Sequence, residues 1–195
     1  MERNEDIMIG PAGKEDVEQV MPLLHEAIGN IACSLAGVED EAEAMRILAE
    51  FYIEEGNRVS YRNVIVDKRD GVIAGILVCY SGDRAEQLDQ PLIERVKRVT
   101  DIADYAILTE TRPGEFYLDS IAVHSSFRNQ GIAKALMAAF EQEAVKQGYS
   151  LVSLIVEEYN GQARLLYEKM GYRADGELLI NGHRYTRMVK TVSGE

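Results

Sequence analysis

The sequence predicts one mixed α/β domain in which β-β, β-α-β and β-α-β-β units follow one another. Three observations carry the prediction. The apolar period switches repeatedly between helical and strand spacing along 195 residues, a length that suits one well-packed domain and is short for two. Asp70-Gly71 and Asn181-Gly182 are hairpin signals, each standing between strand-like runs. Finally, "FYLDSIAVHSSFRNQGIAKALM" reads as a strand, a polar turn holding one glycine, and a helix.

Taken in order, "IMIG" predicts a short strand, Gly10-Pro11 a turn, and the residues from about Glu15 a helix. Val17, Val20, Met21, Leu24 and Ile28 line one face of it at 3-and-4 spacing. Pro22 predicts a kink or an early break there. A second helix over about Asp40–Tyr52 carries Ala44, Ile47, Leu48 and Phe51 on one side, with Gly56 as its stop. Val and Ile then dominate, predicting strands at about Tyr61–Asp67 and Val72–Tyr80. The stretch at about 81–114 is more polar and reads as an insertion, with a short helix around Pro91–Val99 and no assignment for the rest. Such a stretch is a functional flap, an interface or simply an insertion. The strand "FYLDSIAV" places Tyr117, Asp119 and Ile121 on one face by period 2. The helix after the turn runs to about Lys146 on Ile132, Leu136, Met137, Phe140 and Ala144, and Gly148 ends it. "SLVSLIV" is a strand, "NGQARLLYEKMGY" a helix closed by Gly171, and two strands flank Asn181-Gly182. Repeats, low-complexity tracts and linkers are absent from the sequence.

Composition narrows the function classes. Apolar content of 46% and charged content of 28% are those of a globular protein. A formal net charge of -12 argues against binding a nucleic-acid backbone, which needs clustered Lys and Arg. The same charge suits a cationic acceptor, or simply keeps the chain in solution. No apolar run approaches the roughly 18 residues of a spanning helix, so no membrane partner is expected. "MERNEDIMIG" lacks the basic and apolar blocks of a secretory leader. Cys33 and Cys79 lack metal spacing and read as reduced, mostly buried thiols of a cytoplasmic protein. No His, Cys or carboxylate set has ligand spacing for a metal.

Why an arginine, two amides and a glycine precede the helix at Ile132 is a question about ligands. Ser125 and Ser126 offer ordinary caps, yet Arg128, Asn129, Gln130 and Gly131 intervene. Free N–H groups of a first helical turn, reinforced by the helix dipole, bind anions. Gly131 and Ala133 keep the backbone accessible, and Arg128 adds a charge-assisted contact. "RNQGIA" alone is a weak signal. It is followed, one strand later, by "EEYNGQARLLYEKMGYR", in which Asn160 opens a helix and Tyr167 lies two turns on. The two segments in this order, over about Phe116 to Arg173, resemble the GNAT superfamily of acyl-CoA-dependent N-acyltransferases.

The resemblance implies a mixed, mostly antiparallel central sheet flanked by helices and splayed where acyl-CoA lies. It implies that backbone groups around Ile121, Ala122 and Val123 pair with the pantetheine arm. The amides of Arg128, Asn129, Gln130, Gly131, Ile132 and Ala133 would cradle the pyrophosphate, Asn160 would bond the cofactor arm, and Tyr167 would sit near the thioester sulfur. The implied reaction is direct attack of a primary amine on acetyl-CoA, the cosubstrate. A phenol with its ordinary pKa of about 10 stays protonated at neutral pH and can donate to the leaving thiolate, which gives Tyr167 the part of general acid. On helix pattern alone, Tyr167 reads as an amphipathic core tyrosine. The Val123 N–H is placed to polarise the thioester carbonyl. Asp119, with Tyr117 beside it, is the expected base or an acceptor-orienting group, and Glu157 is the runner-up. His124 reads as an ordinary loop histidine. The acceptor is an amine-bearing small molecule or a peptide, and many members of that family form homodimers. A non-catalytic CoA-binding sensor or interaction module is the alternative. A P-loop or Rossmann site is not supported, since GxxxxGK[ST] and GxGxxG are both missing.

Overall fold

The Asp70-Gly71 signal forms a turn with both central residues at positive φ, 49° and 82°, the geometry of a two-residue I′ hairpin. It joins the paired residues Arg69 and Val72. In this computed structural model the described residues are 7–180 and 182–194. Among them the elements are β1 (Ile7–Pro11), α1 (Val17–Ile28), α2 (Ile31–Ala36), α3 (Glu41–Ile53), β2 (Val64–Arg69), β3 (Val72–Ser81), α4 (Ala85–Val99), β4 (Phe116–Val123), α5 (Ile132–Lys146), β5 (Leu151–Glu157), α6 (Gly161–Lys169), β6 (Arg173–Ile180) and β7 (His183–Thr191). The strands form a seven-stranded sheet in the order β1-β2-β3-β4-β5-β7-β6. Every pairing is antiparallel except β4 with β5. The mixed, mostly antiparallel sheet expected from the sequence is therefore the one observed. Ile180 pairs with His183 as the second hairpin requires, while Asn181 of that turn lies outside the described residues, as do residues 1–6 of the N-terminal stretch "MERNEDIMIG".

Side chains from both sheet faces divide the core. Val66, Ile73, Ile76 and Ala122 pack with α1, α2 and α3 on one face. Leu77, Phe116, Leu118 and Val152 pack with α5 on the other, where Tyr167 of α6 joins them. Helix and sheet approach closely at Gly75, where an added Cβ would lie 2.8 Å from Ile132 Cγ2 and 3.0 Å from Leu136 Cδ1. Gly75 thus seats the first turn of α5 on β3. Gly75→Val overpacks this contact and is expected to lower stability by about 1–3 kcal/mol, read as a reduced urea midpoint with unchanged slope. An unchanged midpoint would mean that α5 is not held by this contact.

Several boundaries differ from the sequence reading, each for a local reason. The strand at Ile7 continues through Gly10-Pro11, because β1 lies at the sheet edge, where a proline's missing donor is tolerated. Pro22 neither ends nor breaks α1. It leaves the Glu18 carbonyl without its bond one turn from the helix start, and its ring is exposed. The short helix α2 was not foreseen. In α3, Ala44, Ile47 and Leu48 are buried and Phe51 packs against the same cluster, while Tyr52 is buried as well, its hydroxyl donating to the Gly13 carbonyl at 2.9 Å. That helix stops at Ile53, before Gly56. Tyr61–Asn63 form a 3₁₀ turn in which the Ser60 hydroxyl accepts from the Arg62 N–H, so β2 starts only at Val64. α4 begins at Ala85 rather than near Pro91, since Leu88, Leu92 and Val96 bury one face at four-residue spacing.

Residues 100–115 have no regular structure beyond turns, yet they are anchored. The buried Arg187 of β7 donates to Glu115 and Asp175. The Arg112 N–H donates to Glu115 Oε2 at 3.2 Å, and the Gly82 N–H to the Glu115 carbonyl at 2.8 Å. Cys79 is buried and Cys33 partly so, and neither is disulfide-bonded. Among the described residues no helix is long and apolar enough to cross a membrane.

Candidate active site

The site begins as a defect in the sheet. β4 pairs with β5 only through Phe116–Leu118, opposite Val152–Leu154. Between β3 and β4 the register moves from Val78↔Ser120 to Cys79↔Leu118, which leaves Asp119 as the extra residue of a β-bulge. A bulge bends its strand and re-aims side chains. Beyond it, Asp119 to Val123 lose β5 as a neighbour. The His124 N–H donates to the Ala74 carbonyl of β3. By alternation the backbone groups of Ala122 also face β3, while those of Ile121 and Val123 face the open side. The Val123 carbonyl is reached from that side by Arg128 Nε at 3.3 Å.

The bulge also corrects a sequence expectation. Strict period 2 puts Tyr117, Asp119 and Ile121 on one face. In the structure Tyr117 packs with Tyr80, Ala85 and Leu88 beside α4, whereas Ile121 packs with the α5-side cluster. The extra residue shifts the alternation by one.

One cavity of about 610 Å³ opens at this edge, bounded by Ile121–Val123, by Phe127–Asn129 and Gly131–Lys134, and by Asn160 and Ala163. Its turn has a backbone geometry that can receive an anion. Asn129 and Gly131 both sit at positive φ, 62° and 80°, which turns successive N–H groups into a concave nest at the start of α5. No atom lies within 4 Å of where a Gly131 Cβ would stand. The residue's value is thus its left-handed backbone and the open approach above it. Of the sequence candidates here, Gln130 stands apart. Its Oε1 accepts from Arg69 Nη1 at 3.2 Å, and its side chain is not in the cavity wall. Arg128 lies in the wall but is paired with Glu26. The Asn160 side chain caps α6, accepting from the Ala163 N–H at 3.2 Å.

A second cavity, about 370 Å³, lies between α1, α2, the 105–110 segment and the tips of β4, β5 and β7. Ala27, Ile121, Asn160 and Ala163 belong to both walls, so the two cavities meet at the open edge of β4. Tyr167 lines the second cavity. Burial pushes its phenol up to about 12, so the hydroxyl keeps its proton throughout the physiological range.

At the floor is a charged cluster of which the sequence disclosed only Asp119 and Tyr117. The Arg58 guanidinium lies between Asp89, at 3.2 Å, and Asp119. Tyr80 donates to Asp119 Oδ1 at 2.7 Å, and Tyr117 to Glu110 Oε2 at 2.5 Å. Burial opposes the charge of Arg58, but Asp119, Tyr80 and Asp89 outweigh it and hold the guanidinium protonated. Burial, and then the Asp119 charge, raise the Glu110 carboxyl above the ordinary range. Burial raises Asp89 to about 6 despite Arg58. Burial likewise raises Tyr80 and Tyr117, reinforced by Asp119 and Glu110 respectively. Arg58 is placed by its own N–H, which donates to the Leu88 carbonyl of α4 at 3.1 Å, and by Asn63, whose amide holds the Arg58 carbonyl at 3.2 Å. Arg58 and Glu110 fall in stretches with neither period nor motif, so no sequence signal marked them. Glu157 pairs with His183 Nδ1 at 2.7 Å at the cavity rim, and His124 Nδ1 accepts from the Ser126 N–H as a turn cap.

An open parallel edge, an anion nest at a helix start and an adjoining cavity with a protonated tyrosine define an acyl-transferase type of site. The model of the Acetyltransferase (GNAT) family matches residues 26–172. The chain belongs to the GNAT acetyltransferase family. A crystal structure described as an acetyltransferase superposes with a TM-score of 0.79 at 32% identity, covering 95% of this chain and 99% of that one. An acetyltransferase of Sodalis glossinidius is 32% identical over 73 residues, 37% of this chain and 49% of the relative. An L-ornithine N5-acetyltransferase of Arabidopsis thaliana is 38% identical over 56 residues, 29% of this chain and 25% of the relative. These matches span less than half the length of either curated relative.

Proposed function

We propose that the protein transfers the acetyl group of acetyl-CoA to a primary amine by direct attack. The observation that carries this reading is the junction of the two cavities at Ile121, Asn160 and Ala163, with Tyr167 in the wall beyond it. Acetyl-CoA supplies the activated acyl group. The open backbone of Ile121 and Val123 pairs with the pantetheine arm, the 128–133 amides hold the pyrophosphate, and Asn160 contacts the arm near the reacting end. Arg128 must exchange Glu26 for phosphate to take part, which trades one carboxylate partner for another anion. The Val123 N–H polarises the thioester carbonyl. The amine nitrogen forms the C–N bond as the C–S bond breaks. Tyr167 gives its proton to the departing thiolate, and a base takes one from nitrogen.

Asp119 is the sequence candidate for that base. Its Oδ1 already accepts from Arg58 and Tyr80, so that oxygen is engaged before any acceptor arrives. We therefore give Asp119 the orientation of the acceptor, with Tyr117 positioning Glu110. That the Arabidopsis relative is an ornithine N5-acetyltransferase agrees with an amine acceptor. The test is CoA thiol release from acetyl-CoA with polyamines, amino acids, aminoglycosides and short peptides. Release that depends on the acceptor is expected. Tight acetyl-CoA binding with no release across the panel would instead support the sensor reading.

A further inference from the structure

Resting on the acetyl-transfer reading above, we propose that the acceptor is a primary alkylamine with an apolar body, received at Glu110 as its ammonium ion, and that an amine bearing a carboxylate on the same carbon is rejected. The cavity lining is of two kinds. Leu24, Ile28, Ile31, Leu35, Ile107 and Leu108 are apolar, matching a hydrocarbon body. Glu110 and Asp119 line the same cavity with carboxylates.

The charge count of this lining is uneven. Among the described residues of the wall the cation is Arg58, and it is already held by Asp89 and Asp119. Three carboxylates therefore surround one guanidinium, and an ammonium offsets part of the excess. Ser120, next to Asp119 in the same wall, is 8% exposed, and its hydroxyl has no hydrogen-bond partner among the described residues. A buried polar atom left in this state calls for a ligand donor or acceptor.

Glu110 is faced by Tyr117 and Asp119 of β4, Arg58 after α3, Asp89 of α4 and Tyr185 of β7. Tyr117 occupies Oε2, so Oε1 takes the ammonium. Burial and the Asp119 charge make this carboxyl readier to hold a proton than a solvated one. The proton then passes from nitrogen to Oε1: an N–H bond breaks, an O–H bond forms, and the nitrogen lone pair is freed for attack. Once the C–N bond has formed, the second nitrogen proton goes to the Tyr167 oxygen, which has given its own to the thiolate. A carboxylate on the amine-bearing carbon would lie against Glu110 and Asp119 with no unengaged cation among the described wall residues to receive it.

Calorimetric titration of the full chain saturated with CoA tests this with pentylamine and with norleucine, which is pentylamine carrying a carboxylate on the amine-bearing carbon. In the unaltered protein pentylamine is expected to bind roughly a hundredfold more tightly, the scale of a buried like-charge clash. Glu110→Gln, which keeps an oxygen for Tyr117, is expected to weaken pentylamine at least about tenfold and to leave CoA affinity unchanged. Equal affinities for the two amines, or pentylamine binding as tightly to Glu110→Gln, would overturn the proposal. Pentylamine that binds selectively but is never acetylated would leave this inference standing and sink the acetyl-transfer reading. Acetyl transfer that ignores the carboxylate would do the reverse.

Discussion

Tyr167→Phe is expected to lower kcat by about 10²–10⁴-fold, the usual contribution of a positioned general acid, while leaving the Kd for CoA within a factor of about two. The mutation removes one oxygen from a ring that is 6% exposed and packed against Tyr172 at 6.0 Å between centroids. Packing is retained, so a fall in stability is not the source of the loss. The effect lies in the leaving group, since an amine can attack but the thiolate must then depart unprotonated. With the phenol raised to about 12 by burial, its ionisation produces no alkaline fall in kcat below that value. Equal kcat in parent and mutant would remove Tyr167 from the reaction and return it to the core. A change confined to CoA affinity would make it a cofactor contact instead.

Arg58→Leu carries the largest expected effect on stability, a loss of about 3–5 kcal/mol at pH 8, the scale for breaking a buried ion pair by removing one partner. The guanidinium is almost fully buried and compensates Asp89 and Asp119. Without it both carboxylates remain in a low-dielectric site, and protonation is their cheapest remedy. Asp89 is raised by burial to about 6 even with Arg58 present. In the folded variant it then binds a proton at a pH where the unfolded chain does not. Folded protein holding more protons than unfolded means that stability rises as pH falls. The deficit of Arg58→Leu is therefore expected to be largest above the variant's Asp89 pKa and to shrink as the pH falls from about 8 towards about 6, where the parent's own Asp89 begins to bind its proton. Urea unfolding of both proteins across that window checks it. A deficit that stays constant with pH would show that Arg58 contributes packing rather than charge compensation.

The two halves of the candidate site differed in how far the sequence revealed them. The polar turn before α5 was legible because it is local: Asn129 and Gly131 adopt positive φ within a stretch of six residues, and the turn stands between a strand and a helix. Asn160 and Tyr167 were legible for the same reason, both lying on one short helix and its cap. Ile121 was misplaced on its face because a bulge depends on the neighbouring strand, and no period within β4 contains it. Arg58, Asp89 and Glu110 were invisible. They come from the loop after α3, from α4 and from an irregular segment, and they meet only because the chain packs them under Tyr80 and Tyr117.

Helix faces, hairpin turns and the strand-turn-helix order were thus determined by the sequence itself, since side-chain periodicity and turn chemistry act over a few residues. They were enough to indicate the sheet and the family. The charged cluster around Arg58 was decided by tertiary structure alone. Its character arises from the balance of charges buried together, and burial is a property of the packed whole: a lone arginine and three distant carboxyls become one coupled cluster only once water has been excluded from between them.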